Sequence, residues 1–129
     1  MKDDPEQPED RDHRKYDLAE RTAKFGVRVV EFCLQLPFNA VTRPLISQLV
    51  RAGTSIGANY LEADEAGSKK EFRYRISLCK RESRETQHWL RMLAPAIPNH
   101  TDEARAIWKE ADELTRIFGA IFRKSGPEK

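Results

Sequence analysis

Residues 68–93 read SKKEFRYRISLCKRESRETQHWLRML, and one row inside this stretch repeats with the step of an α-helix. Phe72, Ile76, Cys79, Ser83, Thr86, Leu90 and Leu93 follow one another at alternating steps of four and three, which keeps them on a single face that must meet other helices. Ser68 and Glu71 have the S-x-x-E spacing of a capping box, in which each side chain satisfies an orphan backbone amide at a helix start. Pro95 and Pro98 close the run.

The same period extends in both directions. Leu18, Phe25, Val29, Phe32 and Leu36 define a helix that Pro37 ends. A second helix starts at Thr42 as N-cap with Pro44 in its first turn, carries Leu45, Leu49, Ala52, Ile56, Asn59 and Ala63 inward, and stops at Gly67. After the prolines, Thr101 caps a fourth helix with Asp102 and Glu103 against its positive end, and Ala104, Ile107, Ala111, Leu114, Phe118 and Ile121 form its inner stripe. No stretch alternates as a strand does. The expected fold is all-α, an up-down-up-down antiparallel four-helix bundle over residues 16–126, with helices about 16–36, 42–66, 69–94 and 102–124.

The chain has 129 residues, room for one core. Residues 1–12 hold two cations against six carboxylates, a net −4, so the remainder carries +6 within an overall +2. With Pro5, Pro8 and almost nothing apolar, residues 1–15 read as a disordered acidic tail able to mask a basic surface. No apolar run approaches the ~20 residues of a membrane span, and no signal peptide opens the chain, so the expected location is cytoplasmic with no membrane partner. Cys33 and Cys79 sit in apolar helical patterns and read as buried reduced thiols.

Arg51 to Ala63, RAGTSIGANYLEA, is unusual for a helix because each glycine costs about 1 kcal/mol relative to alanine. Small residues there allow a neighbouring backbone to approach closely. Ser55, Asn59 and Glu62 line up beside the core and are expected to form a polar network with the third helix, where Glu82 and Glu85 are the partners along with Ser83 and Thr86.

This segment also carries a family resemblance. TSIGAN-x-x-EA at 54–63, SKKEF at 68–72 and E-x-R-E-T-x-x-W-L at 82–90 resemble the small bacterial four-helix-bundle proteins encoded by intervening sequences in 23S ribosomal RNA genes. The accessory variability determinant of diversity-generating retroelements is similar to the same bundle. The resemblance implies a homo-oligomer, a pentamer by that likeness, without enzymatic activity, associated with RNA or DNA or with a reverse transcriptase.

The positive charge gives an independent pointer. On a helical wheel Arg73, Lys80, Arg84 and Arg91 fall within roughly 40° of one another, with Lys70 and Arg81 just outside. Arg21, Lys24 and Arg28 form a similar stripe on the first helix, and Arg105, Lys109, Arg116 and Arg123 on the fourth. Such rows contact phosphates with little base preference. Trp89 and Trp108 read as packing residues, and Val27, Val30 and Leu34 as surplus apolar surface at a subunit contact.

Catalytic constellations are sparse. Glu85-x-x-His88 is half of a di-iron motif with no second copy, so no metal and no cofactor are expected. Arg81 and His88 loosely fit the R-x4-6-H pattern of HEPN ribonucleases. The expected function is therefore a non-enzymatic oligomer that binds nucleic-acid backbones through basic helix faces. The alternatives are a protein-only adaptor or scaffold, and a HEPN-like ribonuclease.

Overall fold

The computed structural model describes the backbone of residues 8–126 and the side chains of residues 17–126. Four helices follow in order: α1 (Pro8–Leu34), α2 (Thr42–Asp64), α3 (Lys69–Leu93) and α4 (Thr101–Lys124). Two 3-10 turns, Ala94–Ala96 and Pro98–His100, join α3 to α4, and no strand occurs among the described residues. Each helix packs on its sequence neighbour, and α1 meets α4 far less than it meets α2. The chain is an all-α four-helix bundle.

Its core is the set of faces read from the sequence, with α3 the best match. Ile76, Cys79, Ser83, Thr86, Leu90 and Leu93 are all buried, together with Phe25, Val29 and Phe32 of α1 and Ile107, Leu114 and Phe118 of α4. Tyr60 meets Phe118 across the bundle with ring centroids 6.0 Å apart. Each such aromatic contributes on the order of 2 kcal/mol by leaving water. In α2 it is Tyr60 that enters the core, and Asn59 moves to its flank.

Several local expectations are corrected. α1 begins at Pro8, so residues 8–15 are helical instead of tail; residues 1–7 lie outside the described residues. Proline suits a first helical position and the acidic residues after it suit the positive helix end. Thr42 is no N-cap: it is buried, its hydroxyl donates to Pro37 O at 2.6 Å, and Asn39 Oδ1 instead accepts the amides of Val41 and Thr42 at 2.9 and 3.0 Å. Thr101 likewise donates to Pro98 O at 3.0 Å, and α4 has no side-chain cap. α2 ends at Asp64, and Gly67 has no positive φ, so the glycine stop is not used.

The Ser68 cap holds. Its hydroxyl accepts from Glu71 N at 3.1 Å, while the Glu71 carboxylate accepts from Gly67 N at 3.3 Å instead of from Ser68.

The glycines of α2 serve α1. A Cβ on Gly53 would stand 2.9 Å from Val29 Cγ2, and one on Gly57 would stand 3.2 Å from Thr22 Oγ1 and 3.4 Å from the Thr22 backbone. Gly26 of α1 faces Thr54 in the same seam. Close α1–α2 approach offsets the propensity cost of these glycines.

Candidate functional site

The polar network beside the core has a different hub from the one expected. Arg51 donates to both oxygens of Glu82 at 3.2 and 3.3 Å and to Glu85 Oε1 at 2.6 Å, tying α2 to α3. Glu82 is only 9% exposed, so it depends on that partner. Burial opposes the Arg51 charge, yet the bonds to Glu85 and Glu82 raise its pKa. Asn59 Oδ1 accepts from Arg75 Nη1 at 3.1 Å.

The remaining members stay local. Ser55 donates to Arg51 O at 2.6 Å, Ser83 to Cys79 O and Thr86 to Glu82 O at 2.8 Å each, all within their own helices. Glu62 is exposed and takes no part in the cross-helix network. A lone arginine opening a segment of small residues was the available signal for Arg51.

The cation rows separate into used and unused groups. Arg21 grips Glu110 through Nε at 2.7 Å and Nη2 at 3.0 Å, and also meets Glu113. Arg28 grips Glu103 at 3.0 and 3.3 Å. The Glu110 and Glu103 bonds raise the pKa of Arg21 and Arg28 respectively, so both stay charged and paired. As α1 advances seven residues from Arg21 to Arg28, its partner on α4 retreats seven from Glu110 to Glu103, as antiparallel packing requires. Both arginines, read from the sequence as phosphate contacts, are thus ion-paired across the seam between α1 and α4. Lys24 is exposed between them, beside a depression lined by Glu20, Glu31 and Glu103.

Arg73 is also spent internally. Its guanidinium lies 3.9 Å over the Phe122 ring and donates to Phe122 O at 3.3 Å near the C-terminal end of α4, where a cation meets the negative helix end. It does not belong to an outward row. Lys70 is exposed in the first turn of α3.

Between α3 and α4 the situation reverses. The Lys80 stem crosses α4 at Gly119, its Cε 3.7 Å from where a Cβ would stand. On the outer face of α3 itself, Lys80, Arg81 and Arg84 line a shallow depression with Ser77, Glu85 and His88, all residues of that helix. Further along α3, Arg91 joins Arg105 and Lys109 of α4 around a cleft of about 400 Å³ whose apolar lining includes Leu90, Ile97 and Trp108. Among the described residues none of Lys80, Arg81, Arg84, Arg91, Arg105 or Lys109 forms an ion pair.

From Lys80 to Arg91 the helix rises ~16 Å, about five nucleotide steps of a strand at ~3.4 Å each. Two carboxylates lie along this surface: Glu85, bonded to Arg51 at 2.6 Å, and Asp112, which accepts from Arg116 at 3.1 Å and from Gln87 at 3.4 Å. Unpaired arginines and lysines along a trough can neutralise a polyanion, and they offer no base-reading geometry.

Other chemistry is limited. Burial pushes the Cys33 thiol up to about 11 and the Cys79 thiol up to about 12, and both cysteines are free. Glu85 is committed to Arg51, and no cluster of three or more His, Cys, Asp or Glu side chains converges among the described residues. Arg81 and His88 share the shallow depression, with His88 edge-on to Trp89 at 4.8 Å. No helix among the described residues is long and apolar enough to cross a membrane.

Comparison with known proteins agrees with this architecture. The chain is similar to a crystallised protein of unknown function from the S23 ribosomal protein family from Bacteroides thetaiotaomicron, at 27% identity with a TM-score of 0.70, over 81% of this chain and 96% of that one. A comparison with curated proteins gave no match. A family model described as 23S rRNA-intervening sequence protein matches residues 14–120, spanning all four helices, and the chain belongs to that family.

Proposed function

We propose that this bundle is a non-enzymatic, self-assembling protein that holds RNA or DNA by the phosphate backbone along the α3–α4 groove. The observation that carries it is the row Lys80, Arg84 and Arg91 with Arg105 and Lys109 opposite, all unpaired among the described residues while Arg21 and Arg28 of the same bundle are fully used. Backbone contact by such a row supplies salt-sensitive affinity with little sequence preference.

Self-assembly has its own support. Val27, Val30, Leu34 and Leu61 are exposed on α1 and α2, with Leu34 at 80%, and grouped exposed apolar side chains are where proteins meet. A ring of copies, five by the family resemblance, multiplies the field of each groove. A reverse transcriptase or another nucleic-acid enzyme working beside such a ring fits the same chemistry.

The test is a salt titration of binding to a labelled 20-nucleotide RNA and to a 20-base-pair DNA duplex. Changing Lys80, Arg84, Arg91 and Lys109 together to alanine is expected to cut affinity at least about 100-fold near 0.1 M salt and to flatten the salt slope. Equal binding by that variant, at unchanged helicity and molar mass, removes the proposal. If the unaltered protein binds neither probe, the protein-only scaffold built on the apolar α1–α2 face replaces it.

A further inference from the structure

The cleft at the Arg91 end of the groove differs from the rest of the trough. Trp108 is 41% exposed there, and it lines the cleft together with Ile97 and Ala104. Tryptophan on the polar side of a helix leaves a large flat ring in water, which is unfavourable unless something covers it. Arg91, Arg105 and Lys109 ring the cleft, no carboxylate lines it, and its volume of about 400 Å³ falls in the range of small-ligand sites.

A site with an aromatic, apolar floor and three cations around it selects a planar apolar group that carries negative charge on both sides. A duplex cannot offer one, because its bases are stacked and paired. A single strand can, because an unpaired base turns out of the backbone and stacks on a side chain while flanking phosphates meet the cations.

Continuity fixes the choice of occupant. Arg91 follows Arg84 by seven residues, two turns along the same face of α3, and lines the cleft, so a strand lying along that face delivers its next nucleotide to Trp108. We infer that the α3–α4 cleft is a base-stacking site that captures one unpaired nucleobase on Trp108 and gives the protein a preference for single strands over duplex. This inference rests on the groove binding nucleic acid, and it goes further by naming the single-stranded form and the residue that selects it.

The experiment uses the full chain carrying Trp89→Phe, so that Trp108 is the only indole. A 12-nucleotide oligo(U) and oligo(dT) are titrated against its fluorescence, beside a 12-base-pair duplex. Single strands are expected to quench Trp108 saturably and the duplex to quench it little. Trp108→Ala is expected to lower single-strand affinity about ten-fold, leave duplex affinity within two-fold, and be rescued in part by Trp108→Phe.

If Trp108→Ala leaves both affinities unchanged, or lowers both equally, the stacking site is overturned while the groove stands. If the unaltered protein binds no nucleic acid, both readings fall. If an acidic peptide bearing aromatic residues quenches Trp108 and the oligonucleotides do not, the occupant is a protein segment and the inference is overturned. Circular dichroism of the variants shows whether the bundle survives, which the half-exposed position of Trp108 favours.

Discussion

α4 has two flanks, and they treat positive charge in opposite ways. Toward α1 it presents Glu103, Glu110 and Glu113, which absorb Arg28 and Arg21. Toward α3 it presents Gly119, Trp108, Lys109 and Arg105, which leave Lys80, Arg84 and Arg91 without partners among the described residues. Basic rows that look alike in the sequence thus do different work. The facing helix decides: an acidic face turns a cationic row into a closure, and a small or cationic face leaves it unpaired.

The largest effect expected is a crossed phenotype. The Lys80, Arg84, Arg91 and Lys109 alanine variant loses nucleic acid at near-normal stability. Arg21→Ala with Arg28→Ala keeps binding within about two-fold and loses about 1 kcal/mol of stability, as half-exposed ion pairs do. Denaturant melts and binding titrations on both variants check this, and loss of binding by the α1 pair would break the comparison.

Arg51→Ala strips Glu82 of its partner inside the α2–α3 contact and is expected to cost about 2 kcal/mol. Adding Glu82→Gln should recover part of that loss, read as a double-mutant cycle. The prediction sharpens the contrast, because Arg51 lies on neither flank of α4 and its loss should show first in stability, with binding weakened only as far as the freed Glu85 carboxylate repels phosphate.

Gly53→Ala drives a Cβ to within 2.9 Å of the Val29 methyl, so overpacking of about 2 kcal/mol outweighs the ~1 kcal/mol gained in helix propensity. The net loss of about 1 kcal/mol should appear in chemical denaturation. A loss larger than that of the Arg21 and Arg28 pair would show that α1 is held mainly by α2.

The smallest effect concerns the thiols. Their raised pKa values, about 11 for Cys33 and about 12 for Cys79, suppress the thiolate at pH 8, so both should resist a disulfide reagent in the folded protein. Removing Arg21 and Arg28 should speed reaction at Cys33 on α1 more than at Cys79 on α3, measured by the time course of labelling.

How much of this was legible follows from the range of the forces. The α3 face and its Ser68 cap could be read directly, because a 4-3 repeat and a capping serine are decided within one turn of chain. Thr42 and Thr101 looked like caps by residue type, but their hydroxyls found the carbonyls of Pro37 and Pro98, and Asn39 took the cap. Trp108 read as a packing residue and Arg105 and Lys109 as part of a cation stripe; that they share one cleft with Arg91 of another helix was not legible.

Periodicity and proline placement alone determined four helices, their order and the inward faces, because burial of an apolar stripe is the strongest term and is written locally. Only the tertiary structure decided which arginines are spent and which are offered. A charge has no fixed role until its neighbour's charge is known, and in this bundle those neighbours lie 89 residues away for Arg21 and 31 for Arg51.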